Sequence, residues 1–128
     1  MNSLNQVKIG FTGTRRGMSM NQKRMLRYVM TRFYDVVEFH HGAAIGADTE
    51  AVEIVTTLGR WENSPQIIPH PAKKNPLARN RTIVSKVGIL IAAPATDREV
   101  LRSGTWATIR YAQQRDIAVV MLPRGGRR

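Results

Sequence analysis

Short apolar segments alternate along this chain with longer segments in which apolar residues recur at helical spacing. Five short segments, rich in β-branched and other apolar residues, are typical of strands: 7–12, 36–41, 66–69, 88–93 and 117–122. Four longer segments carry apolar residues three and four positions apart, which predicts helices: 20–33, 48–58, 76–86 and 104–114. Strands that alternate with helices pack as parallel crossover units. The sequence therefore predicts an α/β protein with a doubly wound parallel sheet of about five strands and helices on both faces.

The length and residue content limit what this domain can hold. A chain of 128 residues fits one domain, which we expect at 1–123, followed by a disordered basic tail at 124–128. There is no cysteine, and His40 and His41 have no third ligand at a suitable spacing, so we expect no disulfide, metal site or cofactor. The sequence shows no signal peptide and no apolar run approaching the roughly 20 residues of a membrane helix. We therefore expect a cytoplasmic protein without membrane association.

The charge balance indicates an anionic partner. Lys and Arg total 20 against 9 acidic residues, a formal net charge of +11. Such an excess attracts nucleic acid, nucleotides or anionic lipid, although it can also serve solubility alone. Charge alone does not distinguish a polymer from a small molecule.

The loop after the first predicted strand is a candidate phosphate site. Ligands of doubly wound sheets bind beyond the carboxyl ends of the strands, so the loops at those ends should face the ligand. Gly13 and Thr14 would bring backbone N–H groups close to an anion, and Arg15 would add a bidentate cation. The alternative is a turn with solvated arginines.

The loop after the second predicted strand is built from small residues. Gly42 and Ala43 permit a tight passage from strand to helix. Asp48, at the predicted helix start, either caps that helix or accepts hydrogen bonds from a ribose hydroxyl or a base. The residue type fits both roles.

The remaining two loops add basic and hydroxyl groups. After the third strand, His70 opens a polar loop, and Arg79 and Asn80 follow one turn into the next helix. After the fourth strand, the residues that open the last predicted helix are Ser103, Gly104 and Thr105. The free N–H groups of a helix start, a glycine that allows close approach and two hydroxyls together predict a phosphate site, with an ordinary serine cap as the alternative.

Taken in order, these motifs resemble the superfamily of DprA (Smf) and the LOG proteins, often called SLOG. The resemblance covers about residues 8–126 and rests on four motifs: Gly13-Thr14-Arg15, residues 42–48, residues 79–85 and Ser103-Gly104-Thr105. It implies a Rossmann-like fold that binds nucleotides, nucleotide-derived signals or DNA, and it implies a homo-oligomer. The motifs are most similar to the DprA core, which binds single-stranded DNA.

The resemblance to LOG proteins carries one departure. LOG proteins are phosphoribohydrolases that split nucleoside monophosphates, and they use a catalytic Glu and an upstream Arg. Arg79 falls at the position of that Arg, whereas Thr108 occupies the position of the Glu. A hydroxyl cannot supply the carboxylate that glycosidic hydrolysis needs, which favours a protein that is not an enzyme. The candidate replacements are Asp97 and Glu99, in the loop before the phosphate site.

Three functions therefore stay open. The first is a module that senses or sequesters a nucleotide ligand, as superfamily members are thought to do in conflicts between phages and bacteria. The second is binding of single-stranded DNA, and the third is LOG-type hydrolysis. Arginines in the cleft loops would favour a small ligand, whereas basic residues of the first helix would favour a polymer: Lys23, Arg24, Arg27 and Arg32.

Overall fold

The computed structural model describes residues 6–59, 61, 63–72 and 74–125. Within them, five strands alternate with four helices. The strands are β1 (Gln6–Gly13), β2 (Asp35–His41), β3 (Gln66–Pro69), β4 (Ile89–Ala93) and β5 (Ala118–Met121). The helices are α1 (Met20–Met30), α2 (Ala47–Thr57), α3 (Pro76–Ser85) and α4 (Gly104–Gln114). This order confirms the predicted alternation.

The strands form one parallel sheet with the order β3-β2-β1-β4-β5. The chain first builds outward from β1 to β3 on one side, then crosses to β4 and builds outward on the other. The strand order therefore reverses between β1 and β4. A crevice beyond the carboxyl ends of those two strands is where doubly wound sheets bind ligands.

Helices cover both faces of the sheet, as predicted. On one face, α1 and α2 bury Leu26 and Ile54 against Phe11 of β1 and Phe39 of β2. On the other face, α3 and α4 pack together over the sheet. The cluster there joins Val84, Leu90 and Ala112. Because both faces are covered, β4 is almost entirely apolar and buried.

Helix α1 begins and ends for local reasons. Ser19 accepts a hydrogen bond from the N–H of Gln22, and the Gln22 side chain accepts one from the N–H of Ser19, which makes a capping box. The helix ends at Met30, not at Phe33 as predicted. Phe33 still packs against the core from the turn that follows the helix, so its apolar character extended the helical pattern past the true end.

The predicted tail begins inside the fold. The N–H of Arg124 donates to Asp97 Oδ1 at 2.7 Å, and its Nη1 donates to the carbonyl of Gly17 at 3.0 Å. The hydroxyl of Ser19 donates to the carbonyl of Arg124 at 2.7 Å. Arg124 therefore ties the end of the sheet to the loop after β1, while residues 126–128 of the predicted tail lie outside the described part. Among the described residues, no helix is long and apolar enough to cross a membrane.

Candidate functional site

A cleft of about 690 Å³ lies beyond the carboxyl ends of the central strands. It is formed by the loops after β1, β2, β3 and β4 and by the first turns of α3 and α4. Every predicted ligand-binding residue except His70 lines this cleft. Those lining residues are Gly13, Thr14, Arg15, Gly42, Ala43, Asp48, Arg79, Asn80, Ser103, Gly104 and Thr105.

The start of α4 opens into the cleft. Ser103 is the N-cap, and its hydroxyl accepts a hydrogen bond from the N–H of Trp106 at 3.2 Å. The N–H groups of Gly104 and Thr105 belong to the first helical turn, which has no intrahelical acceptors, and no acceptor for them is found in the described part of the chain. A methyl group added to Gly104 would meet nothing within 4 Å. Neither packing nor backbone conformation requires a glycine here, so the helix start is open to an anion.

The loop after β1 differs from its predicted role. The N–H of Thr14 donates to the carbonyl of Ala93 at 3.0 Å, so it is not available to a phosphate. A Cβ at Gly13 would lie 2.5 Å from the Cβ of Ala47, so this glycine lets α2 pack against the strand end. The prediction of a Gly-Thr backbone cradle is therefore wrong for the Thr14 N–H. Arg15 is exposed and remains available as a cation at the cleft.

Asp48 holds the loop that precedes it. Helix α2 has Gly46 as its N-cap and no side-chain cap, so Asp48 does not cap it. Instead, Asp48 Oδ2 accepts hydrogen bonds from the N–H groups of Gly42 at 2.8 Å and Ala44 at 3.4 Å. Burial raises the pKa of Asp48, and these bonds and the nearby Arg79 oppose that rise. The capping role is therefore wrong, the contact with a ribose or base stays a prediction, and the carboxylate holds the loop that forms one side of the cleft.

Arg79 and Asn80 form a network across the cleft floor. Arg79 Nη1 donates to the carbonyls of Gly42 and His70, and Arg79 Nε donates to Asn80 Oδ1 at 2.7 Å. Asn80 Nδ2 donates in turn to the hydroxyl of Thr108 at 2.8 Å. Arg79 therefore joins the loops after β2 and β3 while it lines the cleft. The Asn80 amide thus joins Arg79 to Thr108 through one N–H and one oxygen lone pair, and its contact with a sugar or base stays a prediction.

Thr108 lies between α3 and α4, outside the residues that line the cleft. It is 3% exposed, and its hydroxyl donates to the carbonyl of Gly104 at 2.8 Å while accepting from Asn80. A carboxylate could not make the donated bond. In this chain, Thr108, at the position where LOG proteins have the catalytic Glu, is thus part of the packing between α3 and α4.

The two candidate catalytic acids also lie outside the cleft lining. Asp97 accepts the hydrogen bond from the N–H of Arg124, and Glu99 Oε2 pairs with Arg110 Nη1 at 2.5 Å. One of these carboxylates therefore accepts from a backbone N–H and the other pairs with a guanidinium of α4. The structure does not place either one beside the start of α4.

His70 is the predicted binding residue that does not line the cleft. Its Nε2 lies 2.8 Å from Nδ1 of His40, whose Nε2 lies 2.8 Å from Glu38 Oε1. Sequence analysis missed this chain of three titratable groups. Glu38 and His40 are two positions apart on a strand and therefore share a face, but the contact with His70 depends on how β3 pairs with β2.

The charge of the described cleft lining is positive. The lining contains three arginines and one carboxylate, that of Asp48; the arginines are Arg15, Arg16 and Arg79. An apolar wall lies in the same cleft and includes Ile45, Pro71 and Ala72. The sequence motifs did not predict this apolar wall, because isolated apolar residues in loops form no recognisable pattern.

Solved structures with the same fold are found at low sequence identity. DNA processing protein A (DprA) from Streptococcus pneumoniae matches with a TM-score of 0.69 at 19% identity, over 92% of this chain and 50% of that one. DprA from Helicobacter pylori, described for its single-stranded DNA binding mode, matches with a TM-score of 0.65 at 22% identity, over 93% and 66%. This chain thus spans half the length of the first and about two thirds of the second.

A third structure has a different description. The molybdenum cofactor binding protein from Rippkaea orientalis matches with a TM-score of 0.61 at 14% identity, over 91% of this chain and 76% of that one. No family model and no curated protein matches the sequence. The resemblance seen in the motifs is confirmed at the level of the fold: the chain has the Rossmann-like α/β fold found in DprA.

Proposed function

We propose that the cleft binds a nucleotide or nucleotide-derived ligand through its phosphate. The observation that carries this proposal is the start of α4. Two N–H groups there, which have no acceptor among the described residues, meet an open cleft at a glycine that the fold does not require. A helix N-terminus favours an anion through its dipole and its free donors. Arg15 adds an exposed cation to the same cleft.

The rest of the cleft suits the remainder of a nucleotide. A volume of about 690 Å³ falls within the range of small-molecule sites and holds a base and a sugar beside the phosphate. The wall of Ile45, Pro71 and Ala72 offers apolar contact to a base. Gly42, whose N–H donates to Asp48, leaves room for the Arg79 guanidinium, which an added Cβ would approach to 2.7 Å.

The neighbours in the structure comparison support ligand binding at this fold. One is described as a cofactor binding protein and another by its binding of single-stranded DNA. The cleft chemistry favours holding the ligand over cleaving it, because the lining carboxylate of Asp48 is engaged with two backbone N–H groups. We therefore propose a module that senses or sequesters its ligand.

The variant Gly104→Asp, which introduces a negative charge, tests the proposal. Its carboxylate would occupy the open space at the helix start and repel a phosphate, while an acidic residue in a first helical turn favours the helix. We expect calorimetry with mono-, di- and cyclic nucleotides to detect binding by the wild type and at least about a tenfold loss in the variant.

Gly88→Asp is the matched control. Gly88 is exposed, also has nothing within 4 Å of its added Cβ, and lies at the amino end of β4, away from the cleft. Its variant should bind as the wild type does. The proposal fails if no nucleotide binds at moderate salt, or if both variants bind equally well.

Single-stranded DNA is a second candidate ligand, and the outer face of α1 supports it. Arg24, Arg27 and Tyr28 are exposed on that face, and the Arg32 guanidinium lies 5.8 Å from the centre of the Tyr28 ring. Among the described residues, no carboxylate pairs with these three arginines. Exposed cations beside an aromatic ring suit a strand whose bases stack.

The salt dependence of binding and the effect of two variants distinguish a nucleotide from single-stranded DNA as the ligand. Binding of an oligothymidine along α1 should weaken steeply with salt and should be lost in the double variant Arg24→Glu, Arg27→Glu. It should survive Gly104→Asp. A flat salt response measured by fluorescence anisotropy would exclude this second ligand.

A further inference from the structure

Three titratable side chains form a continuous hydrogen-bonded chain behind one wall of the cleft. His40 is 2% exposed and lies between Glu38 and His70, with 2.8 Å to each. The two imidazole rings lie with their centres 5.1 Å apart. Such a chain has a fixed number of proton positions, so its integrity depends on protonation.

His70 connects this chain to the cleft. Its N–H donates to the carbonyl of His41 at 2.7 Å, and its carbonyl accepts from Arg79 Nη1 at 3.0 Å. The next two residues, Pro71 and Ala72, line the cleft. The residue whose ring contacts His40 therefore directly precedes two residues of the apolar wall, and its own backbone is bonded to β2 and to Arg79.

The contact between the two rings accepts one added proton but not two. The Glu38 carboxylate can only accept, so His40 Nε2 carries a proton. One proton lies between His40 Nδ1 and His70 Nε2, whichever ring holds it. A first added proton goes to His70 Nδ1 and leaves that bond intact. A second would put protons on both facing nitrogens, which removes the bond and places two cations side by side.

The surrounding charges resist the second proton. Burial lowers the pKa of His70, and His40, Lys86 and Arg79 lower it further. Burial also lowers the pKa of the adjacent His41, again helped by His70, Arg79 and His40. The hydrogen bond from His40 lowers the pKa of Glu38, as do the cations Lys8 and Lys86, so this carboxylate stays ionised and remains an acceptor.

We propose that the contact between His40 and His70 is an acid-operated latch. It holds His70, and with it Pro71 and Ala72 of the cleft wall, through one protonation and releases them at the second. The latch changes the shape of the site of the proposed function, but it exists without ligand. Its test therefore uses the free protein, and a failure of nucleotide binding would leave it unaffected.

Amide NMR spectra from about pH 7.5 to about pH 4.5 test the latch, because this range spans the ordinary histidine pKa. We expect the amides of His70 and Ala72 to shift in a separate acid step, in which the His70 amide loses its protection from hydrogen exchange. The amides of Leu90 and Ile91, in the central strand β4, should keep their shifts and their protection, which shows that the fold persists.

Variants assign the acid step to this contact. His70→Gln removes the second titrating ring and should abolish the step in the wall. Glu38→Gln removes the negative charge at the end of the chain, so adding positive charge to the chain costs more and the step should move to lower pH. His41→Gln removes a neighbouring histidine that lies outside the chain and should leave the step in place. The proposal would be overturned if the amides of His70 and Ala72 showed no acid step in the wild type. It would also be overturned if the step persisted in His70→Gln.

Discussion

Gly46 occupies a position where the backbone leaves no room for a side chain. Its φ is +85°, and an added Cβ would lie 2.3 Å from the carbonyl oxygen of Arg15. The loop after β2 thus crosses directly against the loop after β1. This crossing places Ala43 and Ala44 beside Thr14 and Arg15 in the cleft lining, so one glycine determines how two walls meet.

We expect Gly46→Ala to lower the free energy of unfolding by at least about 2 kcal/mol, because it combines an unfavourable φ with a backbone clash. Urea unfolding followed by circular dichroism measures the loss.

Gly88→Ala serves as the reference for that variant. Gly88 has no positive φ and no atom within 4 Å of its added Cβ. It should change stability by less than about 1 kcal/mol. Equal losses in the two variants would show that the crossing of the loops is not rigid.

At this scale the sequence predicted residue types better than roles. The small residues of the loops and the carboxylate at position 48 line the cleft, while their contacts with a ligand stay predictions. Gly13 and Asp48 serve the packing and hydrogen bonding of the loops themselves. A pattern cannot separate these uses, since a glycine allows close approach of a helix as readily as that of a phosphate.

Helix α1 is joined to the sheet by one buried amide. Gln22 is 0% exposed, and its Nε2 donates to the carbonyls of Pro94 and Leu122 at 2.9 Å each. Its Oε1 accepts from the N–H of Ser19 at 3.0 Å. Gln22 therefore fastens the helix start to the ends of β4 and β5. Helical periodicity predicted that this helix exists, but a glutamine in a helix is ordinarily exposed, so only the fold shows its partners.

We expect Gln22→Leu to lower the free energy of unfolding by about 3 kcal/mol, since it leaves two carbonyls and the N–H of Ser19 buried without partners. Differential scanning calorimetry checks this change. Gln113→Leu, on the exposed end of α4, is the control and should be nearly neutral. If Gln22→Leu left the free energy of unfolding unchanged, water would have to replace the hydrogen bonds of the amide without loss of stability.

The whole molecule carries its net charge of +11 with few internal ion pairs. In the described part of the chain, the ion pairs are Lys23 with Glu50, Arg110 with Glu99, and His40 with Glu38 when protonated. Most of the positive charge is therefore uncompensated and repels itself. The fold was predictable at this scale because the alternation of strands and helices leaves few topologies, whereas the identity of the counter-anion was not.

We expect the melting temperature to rise by several degrees between about 0.01 M and 0.2 M sodium chloride, since salt screens this repulsion. Sodium phosphate at equal ionic strength should raise it further if the start of α4 binds phosphate. Gly104→Asp should keep the chloride effect and lose the additional phosphate effect. A melting temperature that falls with salt would contradict the repulsion.

The two edge strands, β3 and β5, contain four residues each, and β3 ends at Pro69, which has no N–H to donate. A second copy that approached either edge would find only a short ladder of hydrogen bonds and a partner of the same sign of charge. The sheet is thus poorly suited to growth by strand addition. Concentrated solutions should resist fibril formation, and self-association of this protein would have to use its helices or loops.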